Sequence, residues 1–244
     1  MNIIKLNAIN STNSFLKELI KNQSVPDETI VIAEHQTSGR GQRGNSWYST
    51  ASESITFSIY KEFNSLTAEN HFKIAMAVSL ALIREFENCK IPQLNIKWPN
   101  DILSDRKKIA GILVENTLIY KNITHAVIGI GINVNHDSFP NLPQAGSLKS
   151  QGGKKIDKEK LLHQLISGCL VHLNQMETRP FSHLQKQYEK HLFQKDKISV
   201  FETIADGERF NAIIRGVNSS GFLMIETSSG FLKQVGLKEL RLLY

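Results

Sequence analysis

The chain has 244 residues, of which 41% are hydrophobic and 21% charged, and these proportions exclude wholesale disorder. No apolar run approaches the roughly 20 residues that a membrane-spanning helix needs, and residues 1–6 lack the pattern of a signal peptide. The net charge of +6 comes from scattered basic residues, which favours an ordinary polar surface over a nucleic-acid patch. Cys89 and Cys169 lie far apart, which excludes a disulfide framework and a zinc knuckle and indicates a cytoplasmic protein.

Helices and short strands alternate over the first three quarters of the chain. Apolar residues at helical spacing follow the Ser11-Thr12-Asn13 cluster, which is typical of a helix N-cap. Similar spacing predicts further helices over 68–87, 161–176 and 181–192. Alternating or β-branched runs predict strands over 29–33, 55–60, 94–98, 108–115 and 126–134, of which the last two are neighbours in one sheet. The glycine-rich segment 35–46 is predicted to lack regular structure.

A change of period marks the C-terminal part of the chain. From residue 197 apolar residues alternate with polar ones, and turn signals stand at 218–221 and 228–230. This pattern predicts a β-barrel-like module of about 50 residues that depends on the larger domain for stability. The boundary is predicted near Gln194. Four phenylalanines are predicted to alternate as its core: Phe201, Phe210, Phe222 and Phe231.

A loop rich in glycine and arginine, residues 34–47, is the first candidate for chemistry. Its glycines can expose backbone N–H groups and let a ligand approach closely, and its arginines add fixed positive charge. These residues are Gly39, Gly41, Gly44, Arg40 and Arg43. The pattern suits an anion such as a phosphate or a carboxylate. A flexible surface loop is the alternative interpretation.

The segment 97–101, Lys-Trp-Pro-Asn-Asp, and the strand headed by Lys108 form the second candidate. A lysine at the head of an apolar strand is unusual as a core residue, but it is well placed to meet an anion there. Asn100 and Asp101 are candidate ligand contacts. In isolation, a simple turn after the proline is the favoured interpretation of these two residues.

Glycines inside strands form the third candidate: Gly111, Gly129 and Gly131. Because glycine weakens a strand, it often marks a place where a ligand approaches the backbone. Trp47 and Trp98 belong either to the core or to the wall of a ligand pocket. The segment around Gly129 and Gly131 is not a GxGxxG dinucleotide fingerprint, because an alternating strand and not a helix follows it. The sequence contains no GxxxxGK[ST] phosphate loop and no nucleophile constellation, and its histidines lack metal-ligand spacing. These features favour a reaction driven by positioning and charge neutralisation.

Taken together, these motifs resemble those of the biotin–protein ligases. The matching segments occur in the family's order and at similar separations: Ser11-Thr12-Asn13, 36–47, 97–101, 108–115 and 129–133. The resemblance implies an α+β fold over 1–193, with helices packed on a mixed β-sheet as in class II aminoacyl-tRNA synthetases. It also implies a small SH3-like β-barrel over 194–244.

The resemblance implies the chemistry as well. The carboxylate of biotin would attack the α-phosphate of ATP, giving biotinyl-5′-AMP and pyrophosphate, with Mg²⁺ on the phosphates. A lysine of a biotin carboxyl carrier protein would then attack the mixed anhydride and release AMP. Both nucleophiles belong to the substrates, which agrees with the missing catalytic serine or cysteine. The loop 36–47 would also keep water from the reactive intermediate.

Site roles follow from the same resemblance. Lys108 and Arg40 are expected to be catalytic. The expected biotin contacts are Ser11, Thr12, Asn13, Gln36, Gly39, Arg40, Gly41, Gln42, Lys108, Gly111, Gly129 and Gly131. The expected ATP contacts are Arg40, Arg43, Trp47, Asn100, Asp101, Lys108 and Asn133. Asp101 is also expected either to orient Lys108 or to help hold the metal, although no dedicated protein metal cage is expected. Gln42 stands where many relatives carry an arginine, and its role is open.

The sequence also bears on the partners of the protein and on alternative functions. Because only ten residues precede Ser11, no DNA-binding domain and no DNA partner are expected. A homodimer is possible by analogy, and no membrane partner is expected. A lipoate–protein ligase is the nearest alternative, since it shares the fold and the adenylate chemistry, but polar groups such as Thr12 and Gln36 favour a ureido ring over a dithiolane. A non-enzymatic nucleic-acid-binding module is the alternative from another class.

Overall fold

The computed structural model describes residues 1–244, apart from the side chain of Arg43. The strands are β1 (Asn2–Ile9), β2 (Thr29–Gln36), β3 (Gly39–Arg40), β4 (Ser46–Trp47), β5 (Ser54–Glu62), β6 (Leu94–Lys97), β7 (Asp101–Ser104), β8 (Lys107–Ile119), β9 (Asn122–Asn133), β10 (Ile198–Thr203), β11 (Arg209–Val217), β12 (Leu223–Thr227), β13 (Leu232–Val235) and β14 (Leu240–Leu243). The helices are α1 (Thr12–Asn22), α2 (Phe72–Asn88), α3 (Leu148–Gly152), α4 (Lys158–Met176) and α5 (Phe181–Lys190). Within the described part of the chain, none of these helices combines the length and apolar character needed to span a membrane.

Seven strands form the larger sheet, in the order β1-β2-β5-β9-β8-β7-β6. β1 and β2 are parallel, and the other neighbours are antiparallel, so the sheet is mixed. This confirms the predicted α+β class, and β8 and β9 are neighbours as predicted. Strands β1 and β7 were not predicted. β1 is only partly buried, so its apolar and polar residues do not alternate clearly. β7 begins at Asp101, where a turn was the favoured interpretation.

The larger sheet is covered on both faces, and the alternation along its strands decides which residues face which core. Ile30 and Ile32 of β2 join the large core that contains α2, whereas Val31 between them joins a smaller core with Leu16 of α1. Most of α2 is buried because it lies between the sheet and helices α4 and α5. The sheet is therefore a rigid platform, and α1 carries its N-cap Ser11 to one end of it.

The glycine-rich loop is more regular than predicted. β3 and β4 pair as a short antiparallel ribbon, with Gly39 opposite Trp47 and Arg40 opposite Ser46, around a 3₁₀ turn at Gln42–Gly44. The prediction of no regular structure over 35–46 is therefore wrong, also because β2 extends to residue 36. The pairing requires a glycine at position 39, because a Cβ there would overlap the Trp47 carbonyl oxygen.

The C-terminal residues form a five-stranded antiparallel sheet in the order β13-β12-β11-β10-β14. Its inner face joins the large core through residues such as Phe201, and Phe210 stacks on that ring with centroids 6.0 Å apart. Phe222 and Phe231 are exposed, so their prediction as core residues is wrong. Phe231 lies in the turn between β12 and edge strand β13, where it remains 75% exposed.

Replacing Phe57 with alanine is expected to destabilise the protein strongly. Phe57 lies on the interior strand β5 and is fully buried, so truncation leaves a cavity that costs about 3–5 kcal/mol. Urea unfolding followed by circular dichroism measures the loss. Phe231→Ala is the matched control and should change the free energy of unfolding by about 0.5 kcal/mol or less. Equal losses for the two variants would contradict the assignment of the core.

Candidate functional site

A cavity of about 320 Å³ opens between the larger sheet, the loop 37–47 and the smaller sheet. The following expected site residues line it: Ser11, Thr12, Asn13, Gln36, Arg40, Gly41, Gln42, Trp47, Asn100, Asp101, Lys108, Gly111, Gly129 and Gly131. Three expected residues lie elsewhere or are not described. Gly39 lines an adjoining depression under the loop, and the amide of buried Asn133 donates to the Gly146 carbonyl oxygen at 2.9 Å. The predicted phosphate contact of Arg43 lies outside the described residues.

One end of the cavity is lined by neutral polar groups around the start of α1. The Gln36 side-chain oxygen accepts hydrogen bonds from the Thr12 backbone N–H at 2.8 Å and from the Thr12 hydroxyl at 3.1 Å. Ser58 of β5, which the sequence did not single out, lies 2.7 Å from the Thr12 hydroxyl and 2.6 Å from Asn13 Oδ1. These groups are buried and fixed by one another, so they can present donors and acceptors to a neutral polar ligand group.

Glycines form one wall of the cavity, and larger residues sit directly against them. A Cβ at Gly129 would overlap the Asn13 side chain, and a Cβ at Gly131 would overlap the Trp47 indole. A Cβ at Gly111 would lie 3.3 Å from Trp47 Cζ3. The tryptophan is therefore part of the pocket wall, one of the two interpretations that its sequence context allowed. A flat backbone wall of this kind suits a ligand that lies along the strands.

A carboxylate network ties the loop to this wall. Glu115 of β8 accepts a hydrogen bond from the Asn13 amide at 2.9 Å and pairs with Lys17 at 2.9 Å and with Arg40 at 3.1 Å. Burial acts to raise the pKa of Glu115, but hydrogen bonds from Lys17 and Asn13 and the charge of Arg40 lower it below its ordinary value. Arg40 also donates to the Ser14 hydroxyl at 3.2 Å. The role of Glu115 was not predicted, because its partners lie far away in the sequence.

Lys108 faces the cavity at the opposite end of the glycine wall. Its ammonium group lies 2.7 Å from the Asp101 carboxylate and 5.7 Å from the centroid of the Trp47 ring. β8 carries a β-bulge at Ile109, because the consecutive β7 residues Ile102 and Leu103 pair with Ala110 and Lys108. In a regular strand, Lys108 and Gly111 would point to opposite faces, but here a Cβ at Gly111 would lie 3.4 Å from Lys108 Nζ.

Asp101 and Asn100 hold the second candidate segment in place. Asn100 forms two hydrogen bonds with the backbone of Ile112 in β8. Its side-chain amide donates to the Ile112 carbonyl oxygen at 2.7 Å, and its backbone carbonyl oxygen accepts from the Ile112 N–H at 3.0 Å. The Asp101 carboxylate pairs with Lys108, and its two expected roles stay predictions. Among the described residues, no group of three or more His, Cys, Asp or Glu side chains could hold a metal. A cation here would have Asp101 as a single protein ligand, which fits an ion held mainly by phosphate and water.

The mixed sheet and this cavity define a domain suited to an anionic small molecule with a neutral polar end. The chain belongs to the Biotin/lipoate A/B protein ligase family, whose model matches residues 6–133.

Named relatives and solved structures agree with this assignment. The chain is 27% identical over 235 residues to the bifunctional ligase/repressor BirA of Bacillus subtilis, covering 95% of this chain and 71% of that protein. It is 24% identical over 210 residues to the biotin–[acetyl-CoA-carboxylase] ligase of Paracoccus denitrificans, covering 82% of this chain and 85% of that protein. The biotin protein ligase from Aquifex aeolicus in complex with biotin and ATP superimposes with a TM-score of 0.80 at 25% identity, covering 99% of this chain and 98% of that chain.

Replacing Gly131 with alanine is expected to move the Trp47 indole off the wall, because the added methyl group would overlap the ring. With Trp98→Phe as the background, Trp47 is the single tryptophan, and its fluorescence emission should shift to the red as the ring enters water. Gly168→Ala in α4 is the control, since its Cβ first meets the flexible Glu85 carboxylate at 3.2 Å. An emission maximum that stays the same in both variants would contradict the close packing of Trp47 on Gly131.

Proposed function

We propose that the chain attaches biotin to a lysine of a biotin carboxyl carrier protein, using ATP and forming biotinyl-5′-AMP as the intermediate. The observation that carries the proposal is the arrangement of the cavity. Neutral partners at Thr12 and Gln36 stand at one end, Lys108 stands at the other, and the glycine wall runs between them. The relatives named as biotin ligases, and the solved ligase with biotin and ATP, support the same substrates.

The neutral end of the cavity suits the ureido ring of biotin. That ring carries two N–H donors and one carbonyl acceptor, and it has no charge. Thr12, Asn13 and Gln36 offer hydroxyl and amide groups of both kinds, while Ser58 fixes their orientation. A dithiolane ring offers no N–H donor and no carbonyl acceptor to such partners. The polar end therefore supports biotin over lipoate.

The first step joins two anions, which repel each other. The carboxylate oxygen of biotin attacks the α-phosphorus of ATP, and the bond to the bridging oxygen of the β-phosphate breaks, so that pyrophosphate leaves. At a separation of ~4 Å, two unit charges repel by about 4 kcal/mol at an effective dielectric constant near 20. Lys108 lies at the glycine wall with its ammonium group fixed by Asp101, so its charge is in place before the substrates arrive.

Mg²⁺ bound with ATP would neutralise charge on the phosphates, with Asp101 as the single protein ligand. Asn100 remains a predicted nucleotide contact because it lines the cavity. The backbone of Asn100 is fixed to β8, so its side chain has little freedom to move. The contacts predicted for Asn133 and Arg43 stay predictions.

In the second step the ε-amino group of the carrier lysine attacks the carbonyl carbon of the mixed anhydride, and AMP leaves with the electron pair of the broken bond. Until then the anhydride must be protected from water. Loop 37–47 lies over the cavity and is tied to the sheet through Arg40 and Glu115, which suits this protective role.

The C-terminal sheet is proposed to be an SH3-like barrel, and the domains are proposed to be 1–193 and 194–244. β10 begins at Ile198, close to this boundary, and the five strands are antiparallel as such a barrel requires. A homodimer and a cytoplasmic location stay predictions.

Exchange of radiolabelled pyrophosphate into ATP tests the proposed function. We expect exchange that depends on added biotin and is absent with lipoate, because the adenylate can form only with an acid that the cavity accepts. Exchange that depends on lipoate would establish the alternative ligase, and no exchange with either acid would overturn the adenylation chemistry.

Lys108→Met is expected to lower biotin-dependent exchange by about 10²–10³-fold, because a fixed charge next to the reacting anions is lost. Lys121→Met is the control: Lys121 is exposed in the turn between β8 and β9, far along the same hairpin. If Lys108→Met retained wild-type exchange, the central role of this ammonium group would be refuted.

Arg40→Ala is expected to weaken biotin binding by about tenfold and to release biotinyl-AMP into solution, since the loop loses its bonds to Glu115 and Ser14. The measurement is free biotinyl-AMP in the absence of carrier protein. Arg209→Ala, which removes an exposed ion pair with Glu202, is the control. Retention of the intermediate at the wild-type level would count against the protective role of the loop.

A further inference from the structure

We propose that Glu189 and Gln185 of α5 are positioning residues for the adenylation step. They hold the smaller sheet against the larger domain at one point, and through that point they fix the 97–101 segment. This inference rests on the proposed function, which assigns adenylation to the end of the cavity where Asp101 pairs with Lys108. Neither α5 residue lines the cavity, so both act only through the residues that they hold.

The contact between α5 and the smaller sheet lies at a β-bulge in β11. Ile214 and Gly216 pair with consecutive residues of β12, so β11 contains one extra residue between them. A Cβ at Gly216 would overlap the Glu189 carboxylate. The glycine in the bulge therefore lets the helix side chain reach the backbone of the strand.

Two side chains of α5 take the place of a neighbouring strand beside Val217. On that edge of β11, pairing with β10 ends at Ile213, and an isolated bridge follows at Ile214. The Val217 N–H donates to Glu189 Oε1 at 3.1 Å, and the Val217 carbonyl oxygen accepts from the Gln185 amide at 2.6 Å. The Gln185 amide also donates to Glu189 Oε1 at 3.1 Å, so the two side chains fix each other. Because Val217 is buried, its backbone groups depend on these bonds.

The turn after β11 connects this contact to the 97–101 segment. Gly221 lies in that turn, and its carbonyl oxygen accepts from the Trp98 indole N–H at 2.9 Å. A Cβ at Gly221 would overlap the Phe72 ring, so the turn lies directly against α2. Gly221 follows Val217 by four residues, so a shift of Val217 would displace the acceptor of the Trp98 bond.

The path from α5 ends at the charged end of the cavity. Trp98 lies in the short turn between β6 and β7, three residues before Asp101, whose carboxylate lies 2.7 Å from Lys108 Nζ. The neutral end is held separately, by the hydrogen bonds between Thr12 and Gln36. Loss of the α5 contact should therefore disturb the end where the reacting anions meet and leave the neutral end unchanged.

Kinetic constants measured separately for ATP and biotin test the proposal with the full-length protein. Glu189→Ala should lower kcat/KM for ATP in biotin-dependent pyrophosphate exchange about tenfold, while the Kd for biotin measured without ATP stays unchanged. Gln185→Met should act in the same direction by about threefold. Glu189→Gln keeps an oxygen that accepts from the Val217 N–H, so it should retain most of the wild-type exchange.

Tryptophan fluorescence gives a second readout that does not need the reaction. With Trp47→Phe as the background, Trp98 is the single tryptophan, and Glu189→Ala should shift its emission to the red as the indole N–H exchanges the Gly221 carbonyl for water. Glu87→Ala is the matched control for both measurements. Glu87 also lies in the last turn of a helix and its loss changes the net charge equally, but its side chain is exposed.

The proposal is overturned if Glu189→Ala behaves like Glu87→Ala in either measurement. It is also overturned if kcat/KM for ATP and the affinity for biotin fall by the same factor, because a general loss of stability would weaken both ends of the cavity alike. A wild-type protein without biotin-dependent exchange would instead refute the proposed function. The emission of Trp98 would still report whether α5 holds the turn, so the two failures are distinguishable.

Discussion

The mutual repulsion of two anions is the constraint on which the arrangement of this site depends. A carboxylate and a polyphosphate can meet in a small cavity only if positive charge is already fixed between them. Asp101 fixes the position of Lys108, since its carboxylate oxygen lies 2.7 Å from the ammonium nitrogen. The repulsion between the two substrate anions is thus reduced by an ammonium group that the fold holds in place, rather than by a mobile side chain.

Two groups that face the cavity, Arg40 and Trp47, are held by contacts within the protein. Glu115 pairs with Arg40 and thereby occupies a cation that the proposed substrates need. The Trp47 indole lies on Gly131, along the wall where a ligand would lie. A ligand on this wall has to move the indole, and an anion near Arg40 competes with Glu115 for its charge. Both contacts join the loop to the wall of the cavity.

Both sheets contribute residues to one site. The cavity is lined by residues of both sheets, including Phe201 and Leu242 of the smaller one. The Trp98 indole N–H donates to the Gly221 carbonyl at 2.9 Å, which connects the 97–101 segment to the turn before β12. Displacement of the smaller sheet would therefore disturb the segment that carries Lys97 and Asp101.

The sequence alone identified the candidate site motifs through their resemblance to a family. It also determined the helix that begins after Ser11 and the strands around Gly111 and Gly131, because these elements depend on local spacing and residue type. It did not determine the partners of Glu115, which come from α1 and the loop. The alternation of apolar and polar residues did not predict that Phe231 is exposed, since no second layer of the protein covers the turn beside an edge strand. Only the tertiary structure decided that Lys108 shares a face with Gly111, because the β-bulge in β8 that brings them together is set by pairing with β7 and follows no local pattern of residue types.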